Sequence, residues 1–192
     1  MNVPSVSPQT TRYMLFDEKG ECKGNPSMRI GIMSDTHDNL PLIGRAVDRM
    51  NEEEVDLVLH AGDFVSPFTI PALSGLDASL IGVWGNNDGD KPLLTQKCNE
   101  YERIEIRGIF ARVEADGLVI GMLHGDENAL YQALLEGCGF DVLVHGHTHA
   151  AEIRRLGSIL TINPGEVCGY LTGNPTVALL DTATREGRIL SI

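Results

Sequence analysis

Apolar and polar positions change rhythm several times along the chain. Residues 1–27 are rich in Ser, Pro, Thr and Gly, and the first regular pattern begins at Met28. The run MRIGIM (28–33) reads as a buried strand, and Leu40, Ile43, Val47 and Met50 then recur at spacings of three and four, as one face of a helix does. VDLVLH (55–60) predicts a second strand, PFTIPALSGL (67–76) a short helix, and ASLIGVW (78–84) a third strand. This βαβαβ alternation predicts a parallel sheet with helices against it. Further on the pattern changes to hairpins. IFARVE and LVIGML flank Asp116 and Gly117, EIRRL and SILTI flank Gly157, and TVALLD and RILSI form a last pair. A helix near Glu127 to Glu136 and the strand FDVLV (140–144) lie between the hairpins. Two sheets face to face, with helices outside, accommodate both halves. A single domain over 28–192 is expected, preceded by an extension over 1–27 that carries a short strand at Tyr13 to Phe16.

Length and charge narrow the class. At 192 residues the chain suits one domain with a well-buried core. Twenty-seven acidic against fifteen basic residues give a net charge of −12, and the only basic block is Arg154–Arg155. That argues against a nucleic-acid surface that tracks phosphates, so an anionic substrate would need positive charge supplied locally. Cys22, Cys98, Cys138 and Cys168 stand far apart without a Cys-x-x-Cys pair, as reduced cytosolic thiols do. No apolar run approaches the roughly 18 residues of a membrane span, and a cytoplasmic protein is expected.

The histidines then change the picture. All six fall in polar clusters that directly follow apolar strands: SDTHD after MRIGIM, HAGD at the end of VDLVLH, LHGD at the end of LVIGML, and HGHTH after FDVLV. GNND, after the strand ending at Trp84, is a further cluster of this kind without histidine. The carboxyl ends of parallel strands form the ligand crevice of open α/β sheets, so these clusters are expected to converge. Imidazoles, carboxylates and an amide oxygen together suit manganese, iron, zinc or nickel; calcium prefers all-oxygen sites and structural zinc usually recruits thiolates. The inventory Asp35, His37, Asp63, Asn86, His124, His147 and His149 is too large for one tetrahedral zinc and fits two ions sharing a bridging carboxylate. A His-Glu-x-x-His motif, a Gly-x-Ser-x-Gly elbow and a P-loop are all absent from the sequence.

Asp-x-His, Gly-Asp, Gly-Asn-x-Asp, His-Gly and Gly-His-x-His, in this order after strands, resemble the calcineurin-like metallophosphoesterases. The THD run and VHGHTH followed by INPG are most similar to the small bacterial and archaeal YfcE-like phosphodiesterases, and the likeness runs from about Met28 to Asp181. The resemblance implies an α/β fold, a four-layer α/β/β/α sandwich of two mixed sheets with flanking helices and a metal site at the carboxyl ends of strands. It implies that Asp35, His37 and His149 hold one divalent ion, that Asn86, His124 and His147 hold the other, and that Asp63 bridges them. Manganese is placed first, ahead of nickel, iron or zinc. The implied reaction is hydrolysis of a small phosphodiester by in-line attack of a hydroxide shared by the ions, with Asp63, His124 and Asn87 as the catalytic set. Relatives suggest a homo-dimer or tetramer.

Two positions depart from the broader family pattern. Asn87 stands where many members have a histidine; an amide donates a hydrogen bond but no proton, so substrates with poor leaving groups should suffer. Glu166 stands where Ser often follows Asn-Pro-Gly, and a carboxylate beside an anion pocket could narrow substrate choice. His60 is expected to pack or to support a ligand, His145 to line the pocket, and Asp88 to orient its loop or His37. The alternative is a protein-interaction scaffold of the same fold, like the retromer subunit that shares it. A metal-stapled structural protein is a weaker third reading.

Overall fold

The computed structural model describes residues 11–13, 27–137 and 139–192. The first half builds β2 (Arg29–Met33), α1 (Leu40–Glu52), β3 (Leu57–His60), α2 (Thr69–Leu73), β4 (Ser79–Gly82), α3 (Lys91–Cys98) and β5 (Ile104–Ile106). These follow β1 (Thr11–Tyr13). The second half builds β6 (Phe110–Ala115), β7 (Leu118–Leu123), α4 (Asn128–Gly137), β8 (Val142–Val144), β9 (Glu152–Leu156), β10 (Ile159–Asn163), β11 (Thr176–Asp181) and β12 (Glu186–Ser191).

Two six-stranded sheets result, ordered β12-β11-β2-β3-β4-β5 and β1-β6-β7-β8-β10-β9. β2 to β5 run parallel, with β11 antiparallel to β2, and β7, β8 and β10 run parallel in the other sheet. The inner strands are buried along nearly their whole length, as a sheet covered on both faces requires, while successive side chains alternate between its two faces. Ile30, Ile32, Leu57, Leu59 and Ile81 point to the middle, where they meet Val113, Ile120, Met122, Val142 and Val144 of the second sheet. Met33, Val58 and Leu80 point outward onto Ile43, Val47, Met50, Ile70, Leu73 and Leu94 of the helices. On the far side Leu134 of α4 packs with Leu123, Leu143 and Ile159. Helix, sheet, sheet, helix is the expected four-layer sandwich.

Local chemistry explains the elements. α1 is capped by Asn39, whose side chain accepts from Leu42 N, and Pro41 sits in its first turn where no N–H partner is missed. A Cβ on Gly31 of β2 would stand 2.4 Å from Met50 Sδ, so the glycine is what lets α1 lie this close to the sheet. Leu40, counted on the buried face from its spacing, is 43% exposed at the first position of the helix. α3 and β5 occupy 91–106, where the hydrophobic pattern predicts nothing: α3 buries only Leu94 and Cys98. The expected strand at Tyr13 to Phe16 overlaps β1 only at Tyr13, and residues 14–16 lie outside the described residues. β1 pairs parallel with β6 at the edge of the second sheet.

Candidate metal centre

The loops that follow β2, β3, β4, β7 and β8 all open at one edge of the sandwich, and backbone hydrogen bonds lace them together. Asp35 N donates to Gly62 O (3.0 Å), Thr36 N and His37 N to Asp63 O (3.1 Å each), and Gly146 N to His124 O (2.8 Å). Asp88 ties three more amides together, accepting from Gly85 N at 2.7 Å, Val65 N at 2.8 Å and Asp63 N at 3.2 Å. Asp38 Oδ1 takes Ser66 Oγ at 2.7 Å and Thr69 Oγ1 at 2.8 Å, joining the SDTHD loop to α2. The loops pass so closely that a Cβ on Gly146 would lie 1.9 Å from Ser34 Oγ, and one on Gly85 would lie 2.2 Å from Asp63 Oδ1. Asp35, His37, Asp63, His147 and His149 all have positive φ, a conformation that costs free energy and clusters where surrounding structure forces side chains toward a function.

What these loops deliver is a set of ligand atoms facing one another. His37 Nε2 lies 3.4 Å from Asp63 Oδ2 and 3.7 Å from Asp35 Oδ1, His124 Nε2 lies 3.2 Å from Asp63 Oδ2, and His149 Nε2 lies 3.2 Å from Asp35 Oδ1. The His37 and His149 rings stand 5.2 Å apart between centroids, as do His124 and His147. His147 is exposed at the mouth, and its backbone N donates to Asp35 Oδ2 at 3.2 Å. Asn86 is exposed on the loop after β4. Beside it Asn87 donates to Asp63 twice, from N to Oδ1 and from Nδ2 to Oδ2, both at 2.8 Å.

The test of whether a cation suits this place lies in atoms without partners. Asp35 Oδ1, His37 Nε2 and His124 Nε2 are buried and hydrogen-bond to nothing among the described residues. Buried polar atoms normally find partners, so three together in one crevice call for a missing one. His124 Nδ1 sits 2.8 Å from Ala61 O, and since a carbonyl only accepts, the ring donates there and turns Nε2 inward. Asp35, Asp63 and His124 offer ligand atoms within 4.8 Å of one another, as do His37, His149 and Cys168. The residues therefore fit divalent metal ions. Burial works against charge on His124, but the Asp63 and Asp35 carboxylates outweigh it and raise its pKa to about 9. Burial likewise opposes charge on Asp63, yet His124 and the Asn87 hydrogen bonds hold its carboxyl far below the usual range.

The neighbours separate into roles. His60 is fully buried, stacks on Phe64 with centroids 3.7 Å apart, and meets Thr36 Oγ1 through Nε2 at 3.2 Å; burial pushes its pKa down to about 3. It packs, as expected. His145 lies edge-on to Tyr131 at 4.8 Å and beside Asn163 Nδ2 at 3.4 Å. Asp88 orients its loop, as the three amides show. The carboxylate of Glu166 is fully buried and His149 Nδ1 lies 2.6 Å from Oε2, a contact absent from the substrate-selecting role read from its sequence position. Burial tends to raise its pKa, but hydrogen bonds from His149 and Thr172 prevail and hold it at about 2. Cys168 is the residue the sequence reading passed over. Its Sγ donates to Glu166 Oε2 at 3.1 Å, and burial with that carboxylate pushes the thiol up to about 12. It serves Glu166 as a hydrogen-bond donor beside His149; as a metal ligand it would act as the thiolate.

The family model for the calcineurin-like phosphoesterase superfamily domain matches residues 28–185, and the chain belongs to that superfamily. It is similar to the phosphodiesterase MJ0936 of Methanocaldococcus jannaschii, with 42% identity over 161 residues that cover 84% of this chain and 97% of the relative. A solved structure described as a novel archaeal phosphodiesterase is also 42% identical, with a TM-score of 0.81 over 86% of this chain and all of the other. YfcE, a phosphoesterase from E. coli, shares the fold at 21% identity and a TM-score of 0.62, covering 86% of this chain and 100% of its own. The chain is thus an enzyme of the phosphoester hydrolase class. No helix among the described residues is long and apolar enough to cross a membrane.

Proposed function

We propose that this protein hydrolyses a small phosphodiester at a site of two divalent transition-metal ions, manganese first and nickel, iron or zinc as alternatives. The observation that carries this reading is the convergence of buried ligand atoms on Asp35, His37 and His124 that face opposite charges at 3.2 to 3.7 Å without a hydrogen bond to satisfy them. Asp35, His37 and His149 are the residues that would hold one ion, Asn86, His124 and His147 the other, and Asp63, which faces both His37 and His124, the pair. Bound there, the ions supply Lewis-acid activation of water and neutralise phosphoryl oxygens, which leaves a positive pocket in a chain of net charge −12.

The protein's own part is orientation. Ala61 O fixes the His124 ring, and the buried Asp63 is held by Asn87 and by the packed loops. The Asn87 side chain, exposed at the rim, offers an amide N–H that can steer a phosphate oxygen or the leaving group. It has no transferable proton, so diesters with good leaving groups are the preferred substrates. The enzyme reading is favoured over a retromer-like scaffold because the chain is 42% identical to an archaeal phosphodiesterase, whereas a Vps29 structure that shares the fold is 21% identical. Cytoplasmic residence and assembly as a homo-dimer or tetramer belong to the same proposal.

The test is hydrolysis of bis-p-nitrophenyl phosphate by metal-stripped protein with Mn, Ni, Zn and Mg restored separately. Turnover with a transition metal that collapses in Asp63→Ala and His147→Ala is expected. Folded protein inert with every metal would sink the proposal and favour the scaffold.

A further inference from the structure

Glu166 follows the Asn-Pro-Gly turn that leaves β10, and its side chain is entirely inside the protein. Oε1 accepts from Leu171 N at 3.0 Å, from Thr172 N, and from Thr172 Oγ1 at 2.7 Å. Oε2 accepts from Cys168 Sγ at 3.1 Å, Leu171 N at 3.1 Å and His149 Nδ1 at 2.6 Å. None of these donors is a lysine or an arginine. Burying a carboxylate without a cationic side chain to pair with is expensive, and a glycine-rich turn such as 168–173 has cheaper ways to close.

The His149 bond supplies a reason. An ionised carboxylate only accepts, so the proton of the shared bond sits on Nδ1 and the neutral ring presents Nε2 as a lone pair. That lone pair points at Asp35 Oδ1, 3.2 Å away, which has no hydrogen-bond partner of its own. Two electron-rich atoms facing each other at that separation repel unless positive charge, a second ring proton or a metal ion, stands between them. Cys168 reinforces the arrangement: as a protonated thiol it donates to the same oxygen, and its backbone N donates to Asp35 O at 3.0 Å.

We propose that Glu166 is the positioning residue of the ion site made by Asp35, His37 and His149: it fixes His149 as the Nδ1–H tautomer and, through the same carboxylate, ties the ring to the 168–172 turn. This rests on the reading that those residues hold an ion and is independent of what the enzyme hydrolyses. In the other group His124 takes its orientation from Ala61 O, and Glu166 touches none of His124, His147 and Asn86, so Glu166 acts on one of the two ion sites only.

Glu166→Gln separates this role from simple packing. An amide has one oxygen where the carboxylate has two: with that oxygen turned to the 171–172 backbone, its NH2 faces His149 Nδ1 and drives the ring proton to Nε2, where the ion belongs. Manganese titration of the metal-free variant by calorimetry should show one site of unchanged affinity and one weakened 10- to 100-fold, the range for lost ligand-supporting hydrogen bonds. Two sites of undiminished affinity would overturn the proposal. Should the variant not fold, nitrogen NMR of the wild-type ring decides: metal-free His149 is expected as Nδ1–H, and an Nε2–H ring would overturn it. Neither readout uses a substrate, so a wild-type protein that binds two ions and hydrolyses no diester would defeat the functional reading and leave this one standing.

Discussion

Asp63 takes two hydrogen bonds from Asn87 while its Oδ2 faces His37 Nε2 at 3.4 Å and His124 Nε2 at 3.2 Å. A neutral isostere keeps the shape and removes the charge. Asp63→Asn should therefore stay folded and lose diester turnover by at least about 100-fold, the upper end for losing a mere supporting group. Circular dichroism beside the hydrolysis assay checks both halves. His60 gives a pH prediction. Its folded pKa of about 3 lies below the unfolded value of 6.5, so between them the unfolded chain binds more protons. The stability this histidine leaves intact above pH 6.5 is lost as pH falls toward 3. From pH 7.5 to 5 the metal-free protein should lose about 2 kcal/mol more than His60→Phe, at 1.36 kcal/mol per unit, in urea unfolding. Equal losses would show that His60 does not stay neutral inside. At this scale the sequence was generous with residue types and mute on partners. That Asp35, His37, Asp63, His124 and His149 would meet followed from their places after strands, but the Glu166–His149 bond joins a turn after β10 to a loop after β8, and no spacing encodes it.

Elements carry the loops, and the closeness of the loops is itself testable. Gly146→Ala would put a methyl 1.9 Å from Ser34 Oγ and 2.7 Å from Asp35 Oδ2. The HGHTH and SDTHD loops must then part, and the variant should lose metal affinity out of proportion to its fall in melting temperature, which calorimetry and thermal unfolding together measure. α3 offers the contrast. Asp90 caps it by accepting from Leu93 N at 3.0 Å, and Asp90→Ala should cost about 1 kcal/mol of stability in denaturant unfolding while metal affinity is unchanged. The strands were legible because long apolar runs end in Gly, Asp and Asn. α3 and β5 were not, because a helix that buries only Leu94 and Cys98 leaves no stripe, and a three-residue strand has too few positions to alternate.

At the scale of the molecule the proposed ligand set is divided between the sheets. Asp35, His37, Asp63 and Asn86 follow strands of the first sheet, and His124, His147 and His149 follow strands of the second. Ions bound there join the two halves of the sandwich, so binding should stabilise the whole fold. At manganese about 100-fold above its dissociation constant the gain is about 2.7 kcal/mol for each ion bound, or roughly 5 to 10 °C in melting temperature per ion for a chain of this size, and a chelator should reverse it. The sandwich was visible in outline from parallel strands giving way to hairpins; which strands would be neighbours across 192 residues depended on packing between sheets that no local pattern holds.

The most direct measurement is a reconstitution titration: metal-stripped protein receives manganese in fractions of an equivalent while hydrolysis of bis-p-nitrophenyl phosphate is followed. Two ions working together predict turnover that climbs to a plateau at two equivalents per chain. A plateau at one equivalent, or folded protein that takes up metal and turns over nothing, would contradict a two-metal phosphodiesterase.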